Sequence, residues 1–125
     1  MFKVHHIDIW VNDIDESIKF YECLGFSIIQ NFDEVGNKQI VLMKLDDILL
    51  ELKHHVLGDC SHNVAMCGDN KVFGLGVSDI YDAKSYLENT KKIKEKIIIN
   101  TGILNKKYFL IKDPNGLIIE VIENK

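Results

Sequence analysis

Residues 72 to 80, VFGLGVSDI, repeat the order of residues 6 to 14, HIDIWVNDI, and this internal repetition constrains the fold more than any other feature. VNDIDESIKFY at position 11 falls on VSDIYDAKSYL at position 77, an offset of 66. Late in each copy, DILLELK from Asp47 falls on GLIIEVI from Gly116, an offset of 69, and a length difference of three residues in the intervening hairpins reconciles the two. Element order and side-chain identity agree together, which points to a duplicated module. A period this long describes a paired module and not a solenoid.

Each copy reads as βαβββ. Residues 3 to 11, KVHHIDIWV, are β-branched and alternating, which predicts a strand; residues 12 to 25 carry Ile14, Ile18, Tyr21 and Leu24 at helical spacing. Asp13 followed by Glu16 has the form of a capping box, and Gly25 supplies the stop. Three strands follow, FSIIQNF, KQIVLMKL and DILLELK, separated by the turn EVGN and a turn at Asp46 and Asp47. In the second copy the strand KVFGLGV, the helix DIYDAKSYLENTKK and the strands KIIIN, KKYFLIK and GLIIEVIE keep that order, and the turn DPNG holds the only proline. The expected fold is α+β: two tandem βαβββ modules, about 1–54 and 71–125 with a connection over 55–70, forming one domain whose mixed sheets curve around one cleft.

Composition narrows the function. A chain of 125 residues with 46% hydrophobic residues matches one ordinary soluble domain. Its net charge of -4 and the absence of a dense basic cluster argue against nucleic acid, since KKIKEK contains an acid and reads as a solvated helix end. Apolar runs such as DILLEL are strand-length, far short of the ~20 residues a membrane span needs, and the opening MFKVHHIDIW lacks a signal peptide's apolar stretch. A cytoplasmic protein is expected. Cys23, Cys60 and Cys67 read as reduced thiols, because an odd count at these spacings matches no disulfide framework, zinc ribbon or CxxC motif.

Alternation places the polar residues that remain. His6, Asp8 and Trp10 share one strand face while Ile7, Ile9 and Val11 share the other, which packs on the helix. Leu49, Glu51 and Lys53 likewise face the cleft opposite Leu50 and Leu52, and Glu120 looks in between Ile118 and Ile122. The offsets carry Glu51 onto Glu120 and His6 onto Val72. Carboxylates in a partly apolar enclosure lose hydration and repel each other, and a divalent cation resolves both problems. A wet sheet face with solvated glutamates is the alternative. Gly74 and Gly76 lie beside Val72 on the cleft face, leaving room for a ligand or marking a bulge or close strand approach.

Other candidates are weaker. His5 is expected on the helix side; His54, His55 and His62 lie in or near the polar connection, and about 13 Å of strand separates His55 from Glu51, although they share a face. No serine sits in a G-x-S-x-G elbow, and GLGVSD is neither a GxGxxG nor a Walker loop.

The series HHIDIWVNDIDESIKFYECLGF, LLEL, VFGLGVSDI and YFLIKDPNGLIIEVIE resembles the vicinal oxygen chelate superfamily, which includes glyoxalase I, extradiol dioxygenases, methylmalonyl-CoA epimerases and bleomycin- or fosfomycin-resistance proteins. The resemblance covers nearly the whole chain. It implies paired βαβββ modules around a cleft, with metal ligands on the first and fourth strands of each module: His6, Glu51 and Glu120 here, with Val72 where a further ligand is expected. Family enzymes use the ion to hold two adjacent substrate oxygens. One imidazole and two carboxylates suit manganese, iron, zinc or nickel, at reduced affinity for want of the fourth donor.

Two functions follow. A glyoxalase-like small-molecule lyase or isomerase would use that three-ligand site, with Glu51 or Glu120 as catalytic base. A metal-free module of the bleomycin-resistance type would bind an organic molecule in the cleft, with Trp10 and Tyr108 available for stacking and Phe109 better suited to the core. The resemblance also implies a homodimer.

Overall fold

In the computed structural model, which describes residues 1–55 and 71–124, each copy of the repeat forms its own four-stranded sheet with one α-helix. Met1–Val64 and Ala65–Lys125 are separate compact units. His62, Cys60 and Cys67 lie outside the described residues. Among the described residues, no helix is long and apolar enough to cross a membrane.

The first unit runs β1 (His6–Trp10), α1 (Ile14–Cys23), β2 (Ser27–Val35), β3 (Lys38–Leu45) and β4 (Ile48–His55). Its sheet order is β1-β4-β3-β2, with β1 parallel to β4 and the other pairs antiparallel. The mixed sheet follows from connectivity: β1 reaches β4 through the rest of the module, whereas tight turns join the antiparallel strands. One face is apolar and packs toward α1, burying Ile9, Val41, Met43, Leu50 and Leu52 with Phe20 and Tyr21 of the helix. Leu50 and Leu52 are 0% exposed, and each contributes about 1.5–3 kcal/mol by leaving water.

Local chemistry sets the ends of α1. The Asp13 carboxylate accepts from the Glu16 amide at 3.0 Å, the half of the capping box that fixes the first turn. At the other end Gly25 adopts φ +106°, its amide donates to the Glu22 carbonyl, and the Phe26 amide donates to the Tyr21 carbonyl, which is a Schellman closure with the Tyr21 and Phe26 rings in contact. A Cβ at Gly25 would also stand 3.3 Å from Leu45 Cδ1. Gly25→Ala is therefore expected to cost about 1–2 kcal/mol, the strain of a left-handed alanine, read as a lower urea midpoint; an unchanged midpoint would refute this account of the stop.

The second unit runs β5 (Lys71–Val77), α2 (Ile80–Thr90), β6 (Asn100–Thr101), β7 (Lys107–Lys112) and β8 (Ile118–Glu123), in sheet order β5-β8-β7-β6. Here β5 is parallel to β8, as β1 is to β4. Asp79 caps α2, accepting from the amides of Tyr81 and Asp82. Phe109, Ile111, Ile119 and Val121 are buried on the helix side together with Ile80 and Leu87. The DPNG segment is a turn, with Gly116 at φ +87° and Asp113 and Asn115 buried.

Three expectations are corrected. The first strand begins at His6, not Lys3, and β4 continues through His54 and His55 because β3 supplies partners as far as Lys38. The strand expected over 96–100 shrinks to β6, Asn100–Thr101. Three isoleucines favour a strand, but the Asn100 side-chain amide donates to the Ile98 carbonyl at 3.3 Å, giving the chain a local bond that competes with a ladder. Ile97 is buried while Ile98 stands exposed.

Candidate metal and ligand face of the first sheet

Parallel pairing of β1 with β4 sets Asp8 opposite Glu51 and Trp10 opposite Lys53, all on the face away from α1. Because side chains at i and i+2 of a strand share a face, His6 stands beside Asp8 and diagonal to Glu51. His6 Nε2 lies 3.3 Å from Asp8 Oδ1 and 3.7 Å from Glu51 Oε2. One donor atom from each of His6, Asp8 and Glu51 lies within 4.8 Å of the other two. Donors around a first-row ion at ~2.1 Å stand about 3 to 3.5 Å apart, so this group is close to metal-binding spacing before any rearrangement.

A cation of the protein's own already serves the two carboxylates. Lys53 Nζ is 3.2 Å from Asp8 Oδ2 and 3.8 Å from Glu51 Oε2. The carboxyls are also coupled to each other. A hydrogen bond with Glu51 holds Asp8 below the usual carboxylate range, against the opposing effect of burial and with help from Lys53 and His6. The same bond to Asp8, then burial and the Asp8 charge, pushes Glu51 up, with His6 and Lys53 partly compensating.

Around this cluster the face turns aromatic. Trp10 stacks on His55 with ring centroids 4.4 Å apart and planes within 8° of parallel. Lys38 Nζ and Lys53 Nζ stand 5.7 Å and 5.9 Å from the Trp10 ring. His54 points the other way and bonds the Val11 carbonyl at 3.0 Å, securing the end of β1. His5, expected on the helix side, instead precedes the strand, is exposed, and meets His6 with Nδ1 atoms 2.7 Å apart, because alternation does not extend beyond the first paired residue.

On the second sheet, Glu120 is half-buried, pairing with Gly74 of β5 and Leu110 of β7. A Cβ at Gly74 would meet Glu120 at ordinary contact distance, 3.9 Å from its carbonyl oxygen and 4.0 Å from Oε1, so a methyl group would fit there; one at Gly76 would crowd Asn124 at 3.2 Å, so that glycine marks a close approach. The backbone at Val72 falls at a bulge, between Lys71 opposite Ile118 and Phe73 opposite Ile119. The orientation expected for the Val72 side chain lies outside what the structure describes. Phe109 is fully buried, and Tyr108 lies half-buried opposite Ile122.

The structure therefore brings His6 and Glu51 together and adds two residues that sequence reasoning left without a role at the ion: Asp8, placed only in the ligand cleft, and Lys53. Alternation had put both on the correct face. The missing signal was strand register, which decides that Asp8 and not His6 stands across from Glu51. The repeat offsets carry Asp8 onto Gly74 and Lys53 onto Ile122, so the charged cluster has no counterpart in the second copy beyond Glu120.

The family model for the Glyoxalase/Bleomycin resistance protein/Dioxygenase superfamily matches residues 3–121. Among solved structures the chain is similar to SMU.1112c, at 26% identity over 98% of this chain and 99% of that one, with a TM-score of 0.75. It is similar in fold to a glyoxalase family protein from Enterococcus faecalis, at 22% identity over 97% of each chain with a TM-score of 0.75. A bleomycin-binding protein complexed with bleomycin shares the fold at 19% identity over 100% of both chains, with a TM-score of 0.66. No match is found among curated proteins. With the repeat, the paired βαβββ modules and the matched residues in agreement, the chain belongs to the Glyoxalase/Bleomycin resistance protein/Dioxygenase superfamily.

Proposed function

We propose that this chain is a glyoxalase-like small-molecule lyase or isomerase that uses a divalent ion at a variant, three-ligand site. The supporting observation is the approach of His6 Nε2 to within 3.7 Å of Glu51 Oε2 on the sheet face away from α1. One neutral imidazole and carboxylate oxygens form a donor set that fits zinc, nickel, manganese or iron. His6 and Glu51 are the ligands proposed from the first unit and Glu120 the one proposed from the second. When bound, the ion would polarise adjacent oxygens of the substrate. Glu51, whose proton affinity Asp8 raises, is suited to take a proton from a substrate carbon and return it; Glu120 is the other candidate base. The reading includes a cytoplasmic homodimer, checked by sedimentation equilibrium.

A metal-free binding protein is the second reading, and Lys53 favours it. An ammonium that already pairs with both carboxylates neutralises much of what attracts an ion, and the half-buried Trp10–His55 stack is the kind of aromatic pair that suits an organic ligand. The fold shared with a bleomycin-bound protein is compatible with that use.

Titration of tag-free protein separates the two. Saturable uptake of manganese, zinc or nickel, lost in Glu120→Ala, is the result expected for the enzyme. Absence of uptake by the wild type, together with tight binding of bleomycin by metal-free protein, would replace it with the binding module.

A further inference from the structure

We propose that Asp8 is a metal ligand of this chain and that the Lys53 ammonium is a built-in competitor, which must leave the carboxylates for a divalent ion to enter. The proposal rests on the metal reading above and specifies which residues of the first unit make the site and set its affinity.

The geometry carries it. Asp8 Oδ1 is nearer to His6 Nε2, at 3.3 Å, than is Glu51 Oε2, at 3.7 Å, and the three donors lie within 4.8 Å of one another, close enough to share one ion. Three donors on adjacent strands of one sheet form a compact triangle. Charge points the same way within the first unit: the two carboxylates carry -2 between them, against which Lys53 supplies only +1. The position carrying Asp8 in the first copy is Gly74 in the second, and that carrying Lys53 is Ile122. Donor and competitor therefore occur together in one copy and are absent together from the other.

The sheet face itself offers a route for displacement. Lys53 Nζ is 5.9 Å from the Trp10 ring, so rotation of the flexible lysine away from Asp8 and Glu51 leaves the ammonium near an aromatic face that stabilises a cation. Trp10 is the only tryptophan in the chain, which makes its emission a specific reporter of where that ammonium sits.

The test is titration of the whole 125-residue chain, without a tag, with zinc, by calorimetry and by Trp10 fluorescence. Lys53→Met is expected to bind zinc about tenfold more tightly than the wild type, and Asp8→Asn at least about tenfold more weakly, by the scale of changes around metal ligands. The zinc-induced change in Trp10 emission is expected in the wild type and lost in Lys53→Met even though that variant binds zinc. Both side chains are partly exposed, and circular dichroism confirms that the variants fold. Zinc uptake that Asp8→Asn leaves undiminished, or that Lys53→Met does not strengthen, overturns this proposal while leaving the metal reading standing. No uptake by either the wild type or Lys53→Met overturns both.

Discussion

Glu51→Gln is expected to lower divalent-metal affinity at least about a hundredfold while shifting the unfolding free energy by less than about 1 kcal/mol. Loss of a residue that merely supports a metal ligand costs about 10–100-fold, so loss of an anionic ligand should reach or exceed the top of that range. Stability is spared for a separate reason. Glutamine has nearly the shape of glutamate and offers Asp8 an amide donor, and Lys53 keeps its shorter contact, to Asp8 at 3.2 Å. The measurement is metal titration beside urea unfolding. An affinity within threefold of wild type would remove Glu51 from the ligand set. Lost affinity accompanied by a large drop in stability would instead make Glu51 a structural residue of the sheet.

How much of this was legible beforehand depends on the range of the interactions involved. Caps, turns and face alternation are set by residues a few positions apart, and there the chain could be read directly: Asp13, Gly25 and Asp46 act where their types suggest, and Leu50, Leu52, Ile119 and Val121 are buried as their spacing requires. The duplicated architecture was legible because two copies test each other. Register was not, since one strand can slide along another by two residues without exposing a single apolar side chain. That freedom hid the pairing of Asp8 with Glu51 and of Trp10 with Lys53, and so hid the internal ion pair at the candidate site. The same distinction explains β6: the propensity of Ile97 to Ile99 is local, but a ladder needs a partner and open acceptors, and the Asn100 side chain engages one of those acceptors.

Asp113→Ala is expected to produce the largest loss of stability of any single substitution considered, roughly 3 kcal/mol, seen as a melting temperature lower by about 10 °C. The Asp113 carboxylate accepts from the Asn115 amide at 2.8 Å, the Leu117 amide at 2.9 Å and the Asn115 side chain at 2.9 Å. Asp113 is 5% exposed and Asn115 2%, so water cannot readily replace the lost acceptor. Donors that had a charged partner would be stranded in the turn that delivers the chain into β8, the strand bearing Glu120. Asp113→Asn keeps one carbonyl oxygen for the backbone amides but sets an amide group against the Asn115 side chain, and about half the loss is expected. Far-UV circular dichroism is the appropriate probe, because Trp10 belongs to the other unit and its fluorescence need not follow events here. If Asp113→Ala unfolds within 1 kcal/mol of wild type, the turn is held by its backbone bonds, Asp113 amide to Leu117 carbonyl and Gly116 amide to Asp113 carbonyl, and the carboxylate is incidental to it.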